Sequence, residues 1–291
     1  MYNLSHLGLY KNVPKKRMFN PTPDYERDSY TLLQYKSHLR NEFLIPLKAN
    51  GDGSGVATIR LQSLEEQSVK ITGNGKFYTS SAGTTEAGTE STIGTSLTSF
   101  FVKVPEGESC YLVCSKADKL YGLGSTYATA IVGGVNVPYI NYCAINYPLI
   151  NLSVIRLISA STSSFTGSIE NTPNLTFLFI SNSVLSAFTG DIGKSVKCYH
   201  LRSQGNSNCT FTYVTPRNDW GSSFDSLWVS CASMTSTMVD NLLIDLDASG
   251  VMPAGDKLII LDGLCGAVTP ASAAARASLV LKGFKVTVNE T

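Results

Sequence analysis

From Ser164 to Gly193 the chain reads "SFTGSIENTPNLTFLFISNSVLSAFTGDIG", which says nearly the same thing twice. Phe165-Thr166-Gly167-Ser168-Ile169 returns 23 residues later as Phe188-Thr189-Gly190-Asp191-Ile192. A second landmark keeps that interval: Asn151-Leu152-Ser153-Val154-Ile155-Arg156-Leu157 realigns on Asn174-Leu175-Thr176-Phe177-Leu178-Phe179-Ile180. A worn third copy follows, with Lys197-Cys198-Tyr199-His200-Leu201 at the strand position and Phe211-Thr212-Tyr213 in place of Phe-Thr-Gly. Each copy supplies a short apolar strand, a turn and an irregular return. None can bury its apolar face alone, so the copies must stack.

A period of this length with one short strand per copy is the spacing of leucine-rich repeats, and it predicts a leucine-rich-repeat-like solenoid over 118–235. Upstream, "VATIRLQ", "SVKITG", "KFYTSS", "SFFVKVP" and "CYLVCS" are short, alternating and separated by turns, which predicts a small β-sandwich over 49–117. Downstream, "TSTMVDNLLIDLDASG" places Val239, Leu242, Leu243 and Leu246 on one helical stripe, with Thr235 or Ser236 as N-cap and Gly250 as C-cap. "KLIILD" reads as a buried strand. "TPASAAARASLVLKG" reads as a helix capped by Thr269 with Pro270 at its first position, and "FKVTV" as a closing strand. Leu279 and Val280 are expected to supply a second apolar stripe. Strand, helix, strand, helix, strand predicts a C-terminal βαβ unit over 236–291 that caps the solenoid. The fold class expected is therefore mainly β with an α/β cap.

Residues 1–48 read differently. They hold eight Lys/Arg (Lys11, Lys15, Lys16, Arg17, Arg27, Lys36, Arg40, Lys48) against four acids (Asp24, Glu26, Asp28, Glu42), and neither periodicity persists. A merely disordered tail would be poor in aromatics. This one carries many, so an extended N-terminal docking arm that orders on a partner is predicted, with Tyr10, Lys15, Lys16, Arg17, Phe19, Tyr25, Tyr30 and Tyr35 as its gripping residues. Asp24, Glu26 and Asp28 interrupt the basic run and no stacking-platform motif is visible, so nucleic acid is not the expected partner.

Only 15 % of the 291 residues are charged and the net charge is +1, so the chain as a whole offers no general pull towards polyanions or membranes. Ser, Thr, Gly and Asn replace the missing charge, as in β-rich surface proteins. The seven cysteines (Cys110, Cys114, Cys143, Cys198, Cys209, Cys231, Cys265) are an odd number without a CxxC pair. Cys110 and Cys114 would lie about 13 Å apart along a strand, beyond disulfide reach. Reduced, buried thiols made in a reducing cytoplasm are expected. The N-terminus shows no apolar h-region of a signal peptide, and no apolar run is long enough to span a membrane. A surface-like composition without an export signal fits a virion protein, made inside the cell and displayed after lysis; the resemblance given below implies a bacterial host cytoplasm.

The chemical motifs are weak. Gly193-Lys194-Ser195 ends like a phosphate loop, but the required glycine five residues before Gly193 is Phe188. "NGDGSG" aligns Asn50, Asp52 and Ser54 with a calcium loop whose twelfth position, normally Glu, is Leu61. His200 is a lone histidine in the expected folded body. Asp191, Asp219 and Asp225 are the carboxylates nearest one another in the repeats, with nothing to fix the spacing that glycan cleavage needs. Asn151 and Asn174 share one repeat position and are expected to bond backbone at the turn before each strand. No catalytic residue, metal or cofactor is therefore predicted.

"LTFLFISNS…FTGDIG", "TPASAAARASLVLKGFKVTVN" and "VKITGNGKFYTSS…FFVKVPEG…CYLV" together resemble the leucine-rich-repeat virion and surface proteins of phages and prophages of gut Bacteroidetes, including crAss-like phages. The resemblance spans about 50–291. It implies a non-enzymatic virion structural protein (a head fibre, capsid decoration or tail-associated fibre subunit) with no known active residue. The partners it implies are other virion proteins (capsid, portal or tail) reached through residues 1–48, with a homo-oligomeric state expected. A host-surface adhesin is the alternative.

Overall fold

The computed structural model describes residues 25–49, 54–126, 139–140, 143–158, 165–181, 187–194, 200–204, 208–217, 219–220, 224–253 and 257–290. The chain is mainly β, with large sheets and a few helices.

Residues 25–48 differ from the extended arm expected of them. Helix α1 (Tyr25–Leu39) is followed by strand β1 (Phe43–Lys48), with Asn41 at φ 60 turning the chain between them. Tyr30 is only 3 % exposed; its hydroxyl donates to the Leu44 carbonyl at 3.2 Å and its ring stacks on Tyr111 at 6.0 Å. Gln34 donates to the Ala144 carbonyl, and His38 stacks on Tyr147 at 4.0 Å. The aromatics of this stretch do find neighbours to bury them, and the neighbours belong to the same chain. Sequence periodicity missed this because the contacts are long-range.

Strands β2 (Ala57–Ser63), β3 (Gln67–Thr72), β4 (Lys76–Tyr78), β5 (Glu86–Gly88), β6 (Glu90–Ile93), β7 (Thr98–Lys103) and β8 (Ser109–Cys114) follow. β2, and β8 from Cys110 on, alternate between buried and half-exposed residues, the period-2 signature of a sheet with one face on a core. β8 pairs antiparallel with both β1 and β3, while β2 pairs antiparallel with β7. Phe43, Ile45, Leu47, Val69 and Leu112 from one sheet join Ile59, Leu61, Phe100 and Val102 from the other in a single buried cluster. Pro46 lies inside β1, and β1's second partner β10 (Tyr139–Ile140) pairs only at Leu47 and Lys48.

β9 (Leu120–Thr126) joins two kinds of pairing. It runs antiparallel to β2 and parallel to β12 (Val154–Ile158), so one sheet continues across both. β11 (Cys143–Ala144), β13 (Phe165–Ser168), β15 (Ala187–Asp191) and β17 (Thr210–Thr212) form a separate four-stranded parallel sheet. β14 (Phe177–Ser181), β16 (His200–Gln204) and β18 (Ser226–Val229) extend the long one. In the long sheet Val154 faces Phe177 and Phe177 faces His200, the same 23-residue step as in the sequence.

The repeated Thr-Gly pairs lie inside strands β13 and β15, and the glycine of the first has a packing cause. Phe165, Phe188 and Phe211 are fully buried and form a ladder with centroids 6.4 and 6.5 Å apart. A Cβ on Gly167 would come within 2.6 Å of the Phe188 ring. Glycine there is what lets the next copy's phenylalanine close up. As expected, Asn151 and Asn174 donate to backbone carbonyls of the preceding turn, Asp118 and Ile150.

Helix α2 (Ser236–Ala248), β19 (Lys257–Leu261), α3 (Ala273–Leu281) and β20 (Phe284–Val288) complete the chain, with β18, β19 and β20 all parallel. Thr235 is the N-cap of α2, accepting from Met238 N at 3.4 Å, and Val239, Leu242, Leu243 and Leu246 are its buried stripe. Pro270–Ser272 forms a 3-10 turn, capped by Thr269, that leads into α3. Leu279 is buried, but Val280 is 55 % exposed and does not extend an inner stripe: adjacent helical residues point about 100° apart, and only Leu279 faces the sheet. Asp240 ties the two helices together, accepting from Thr269 N (3.1 Å), Thr269 Oγ1 (2.6 Å) and Ser272 Oγ (2.5 Å).

Candidate binding face

The long sheet runs β20-β19-β18-β16-β14-β12-β9-β2-β7-β4-β5. Ile155, Leu157, Leu178, Ile180, Leu201, Leu227 and Val229 point into the core, so the residues between them look out. Register then fixes what shares a row. Arg60 pairs with Gly124, Gly124 with Arg156, Arg156 with Phe179, Phe179 with Arg202, and Arg202 with Trp228. Strands lie about 4.8 Å apart, so this one row sets an arginine on every second strand, about 10 Å apart. A glycine, a phenylalanine and a tryptophan occupy the strands between and beyond. Val154 and Phe177 are half-buried neighbours in the adjacent row.

The row is electrically one-sided. From β7 across to β20 no strand carries an Asp or Glu. Arg156 is exposed, and neither it nor Arg60 has a hydrogen-bond or ion-pair partner among the described residues. Arg202 donates from Nη2 to Ser226 Oγ at 2.9 Å, and its Nε has no partner among the described residues. A Cβ on Gly124 would meet nothing closer than 3.4 Å, an ordinary contact. Packing therefore does not demand glycine at 124. Its effect is to leave the surface bare between Arg60 and Arg156.

The residues named from sequence fall elsewhere. Tyr10, Lys15, Lys16, Arg17 and Phe19 lie outside the described residues. Tyr25 opens α1; Tyr30 is committed to the chain's own core, and Tyr35 is half-buried on α1 on the side of exposed Leu32 and Leu39. Burial of Tyr30 raises its hydroxyl well above the ordinary tyrosine range. It is a structural residue, and its hydroxyl already has a partner.

The three carboxylates do not converge. Asp191 is buried and accepts from Gly193 N (3.1 Å), Val214 N (3.1 Å), Thr215 N (3.0 Å) and Thr215 Oγ1 (2.5 Å), pinning one copy's turn to the next. Asp219 pairs with Arg217 at 2.7 Å, whose guanidinium lies 4.1 Å from the Trp220 ring centroid. Asp225 pairs with Lys257. Gly193 sits where a Cβ would strike the Thr215 carbonyl, and Lys194 pairs with Glu170 at 3.3 Å, so this turn is built for packing. Asn50 and Asp52 lie outside the described residues, among which no cluster of metal-binding side chains occurs. His200 is placed by backbone register, opposite Phe177 and Ser226. The six described cysteines are all buried.

The outward row was legible in one respect. Arg156, Phe179, Arg202 and Trp228 each stand after a buried aliphatic (Ile155, Leu178, Leu201, Leu227) in successive copies. Adding Arg60 needs the β2–β9 pairing, which no repeat announces. No family model, curated protein or solved structure matches the chain.

Proposed function

We propose that this chain is a non-enzymatic bacteriophage virion structural protein, a head fibre, decoration or tail-associated fibre subunit that turns a binding face outward. The observation that carries the binding part is the acid-free outer row of the long sheet, where guanidinium groups and aromatic rings lie together on a rigid element. The virion part rests on the sequence resemblance and the charge-poor composition. In the finer reading of the fold, the antiparallel sheets form a β-sandwich, the 23-residue steps a leucine-rich-repeat-like solenoid, and β18-α2-β19-α3-β20 its βαβ cap. The registers of the parallel strands and the shared core support that reading.

Docking to capsid, portal or tail proteins is assigned to residues 1–24 with the exposed stripe of α1, Leu32 and Leu39 beside Tyr35, since residues 25–48 are otherwise committed to the body. Assembly with further copies is part of the proposal: β20 ends the long sheet, and α3 beside it exposes Val280 and Leu281. The test is immunogold labelling of intact particles with antibodies against residues 54–290. Surface label is the expected result, and a chain lacking 1–24 should fold yet leave particles bare. Unlabelled particles, or full incorporation of the truncated chain, would overturn it.

The second reading, a host-surface adhesin acting free of a particle, draws on the same outer row. It predicts that the purified protein binds host cells with no virion protein present.

A further inference from the structure

We infer that the outer row is a binding site for an acidic polysaccharide in which charged and neutral sugars alternate. The inference rests on the proposed binding face and adds its ligand class. Its ground is the match of spacing and chemistry. Arg60, Arg156 and Arg202 recur on every second strand, about 10 Å apart. A pyranose ring in an extended chain advances by close to one strand spacing, so a carboxylate on every second sugar would meet a guanidinium each time. Arginine suits that contact because its planar fork binds a carboxylate through two parallel N–H bonds.

The neutral sugars fall on the strands between. Phe179 stands between Arg156 and Arg202, and Trp228 lies beyond Arg202. Both are half-buried aromatic rings, the kind of surface that meets the C–H face of a sugar. Between Arg60 and Arg156 the place is taken by Gly124, which leaves a bare trough one strand wide. A homopolymer of acids, or a single-stranded nucleic acid, puts a charge on every unit, whereas this row offers one for every two steps. The absence of Asp and Glu from β7 to β20 removes the repulsion such a ligand would otherwise meet.

The experiment is affinity electrophoresis and calorimetry of the full chain with four polymers: hyaluronan (alternating uronate and neutral sugar), polygalacturonate (every unit acidic), dextran (neutral) and single-stranded oligothymidine. Hyaluronan should bind most tightly, more weakly as salt rises, and dextran should not bind. Arg156→Ala and Arg202→Ala should each weaken binding about tenfold, the usual worth of one charge-assisted contact. Arg156→Lys should recover only part of it. Gly124→Val should fill the trough and abolish binding while leaving the melting temperature unchanged or raised, so lost binding cannot be laid to unfolding. Binding of dextran, equal or tighter binding of polygalacturonate or oligothymidine, wild-type affinity in the Arg156 and Gly124 variants, or no binding to any polymer would each overturn the inference. Labelled particles with no polymer binding would leave the proposed function standing without this ligand. Polymer binding with unlabelled particles would do the reverse.

Discussion

Replacing Gly167 by Ala and Phe188 by Ala, singly and together, tests whether the glycine of strand β13 exists to seat the next copy's ring. Phe188 is fully buried between Phe165 and Phe211, so its truncation should cost about 3–5 kcal/mol in lost transfer energy and an unfilled cavity. Gly167→Ala drives a Cβ to 2.6 Å from Phe188 Cε2 and 3.0 Å from Cδ2. Relief needs a ring or backbone shift, an overpacking cost of about 1–3 kcal/mol. With Ala at 188 the ring is gone and the clash with it. The same substitution should then be neutral, or stabilising by about 0.4–1 kcal/mol through the unfolded chain's lost freedom. The two changes should therefore couple by at least about 1 kcal/mol, with the double variant no less stable than Phe188→Ala alone. Urea unfolding of the four proteins at constant m-value gives the cycle. Additivity within about 0.5 kcal/mol would show that the glycine serves something other than this ring.

Other outcomes follow from single contacts. Burial works to raise the Asp240 carboxyl, but the hydrogen bonds from Ser272 and Thr269 and the charge of Arg276 outweigh it and hold the group below the usual carboxylate range. Its stabilising share is complete above the unfolded aspartate value near pH 4 and is lost as pH falls through the lower folded value, so Asp240→Asn should flatten the acid limb of a stability–pH curve; an unchanged limb would refute this. Asp191→Ala should cost about 2–3 kcal/mol, because it leaves the amides of Gly193, Val214 and Thr215 without their acceptor, and thermal unfolding would show it. Burial pushes the Cys110 and Cys114 thiols up to about 12. Cys231 is drawn down by the hydrogen bond from Cys265, yet is equally buried, so access sets its rate too. A Cys198→Ser variant should then show no fast-reacting thiol with Ellman's reagent before guanidinium is added; a fast phase would refute it.

The 23-residue step was legible because each copy repeats both an apolar strand and a phenylalanine, and register and ring stacking follow from those two marks. The stripe of α2 and the caps at Thr235 and Thr269 were legible because helix signals are local. Residues 25–48 were not. What orders them is Tyr30 against Tyr111 and Leu44, and β1 against β8, pairings remote in sequence that leave no periodic trace. The outer row was half legible for the same reason: the repeat gives Arg156, Phe179 and Arg202, whereas Arg60 and Gly124 enter through a junction between two modes of pairing.

That junction has a mechanical meaning. β9 bonds along its length to β2 on one side and to β12 on the other, so no flexible linker separates the two parts of the long sheet. α1, in turn, is clamped to β1 and to the Ala144 carbonyl. A grip on α1 therefore fixes the azimuth of the Arg60–Trp228 row, within the small elastic twist of a hydrogen-bonded ladder. The molecule would aim its face as a lever does, and an array of copies held at one end would point their rows along directions set by the lattice beneath them.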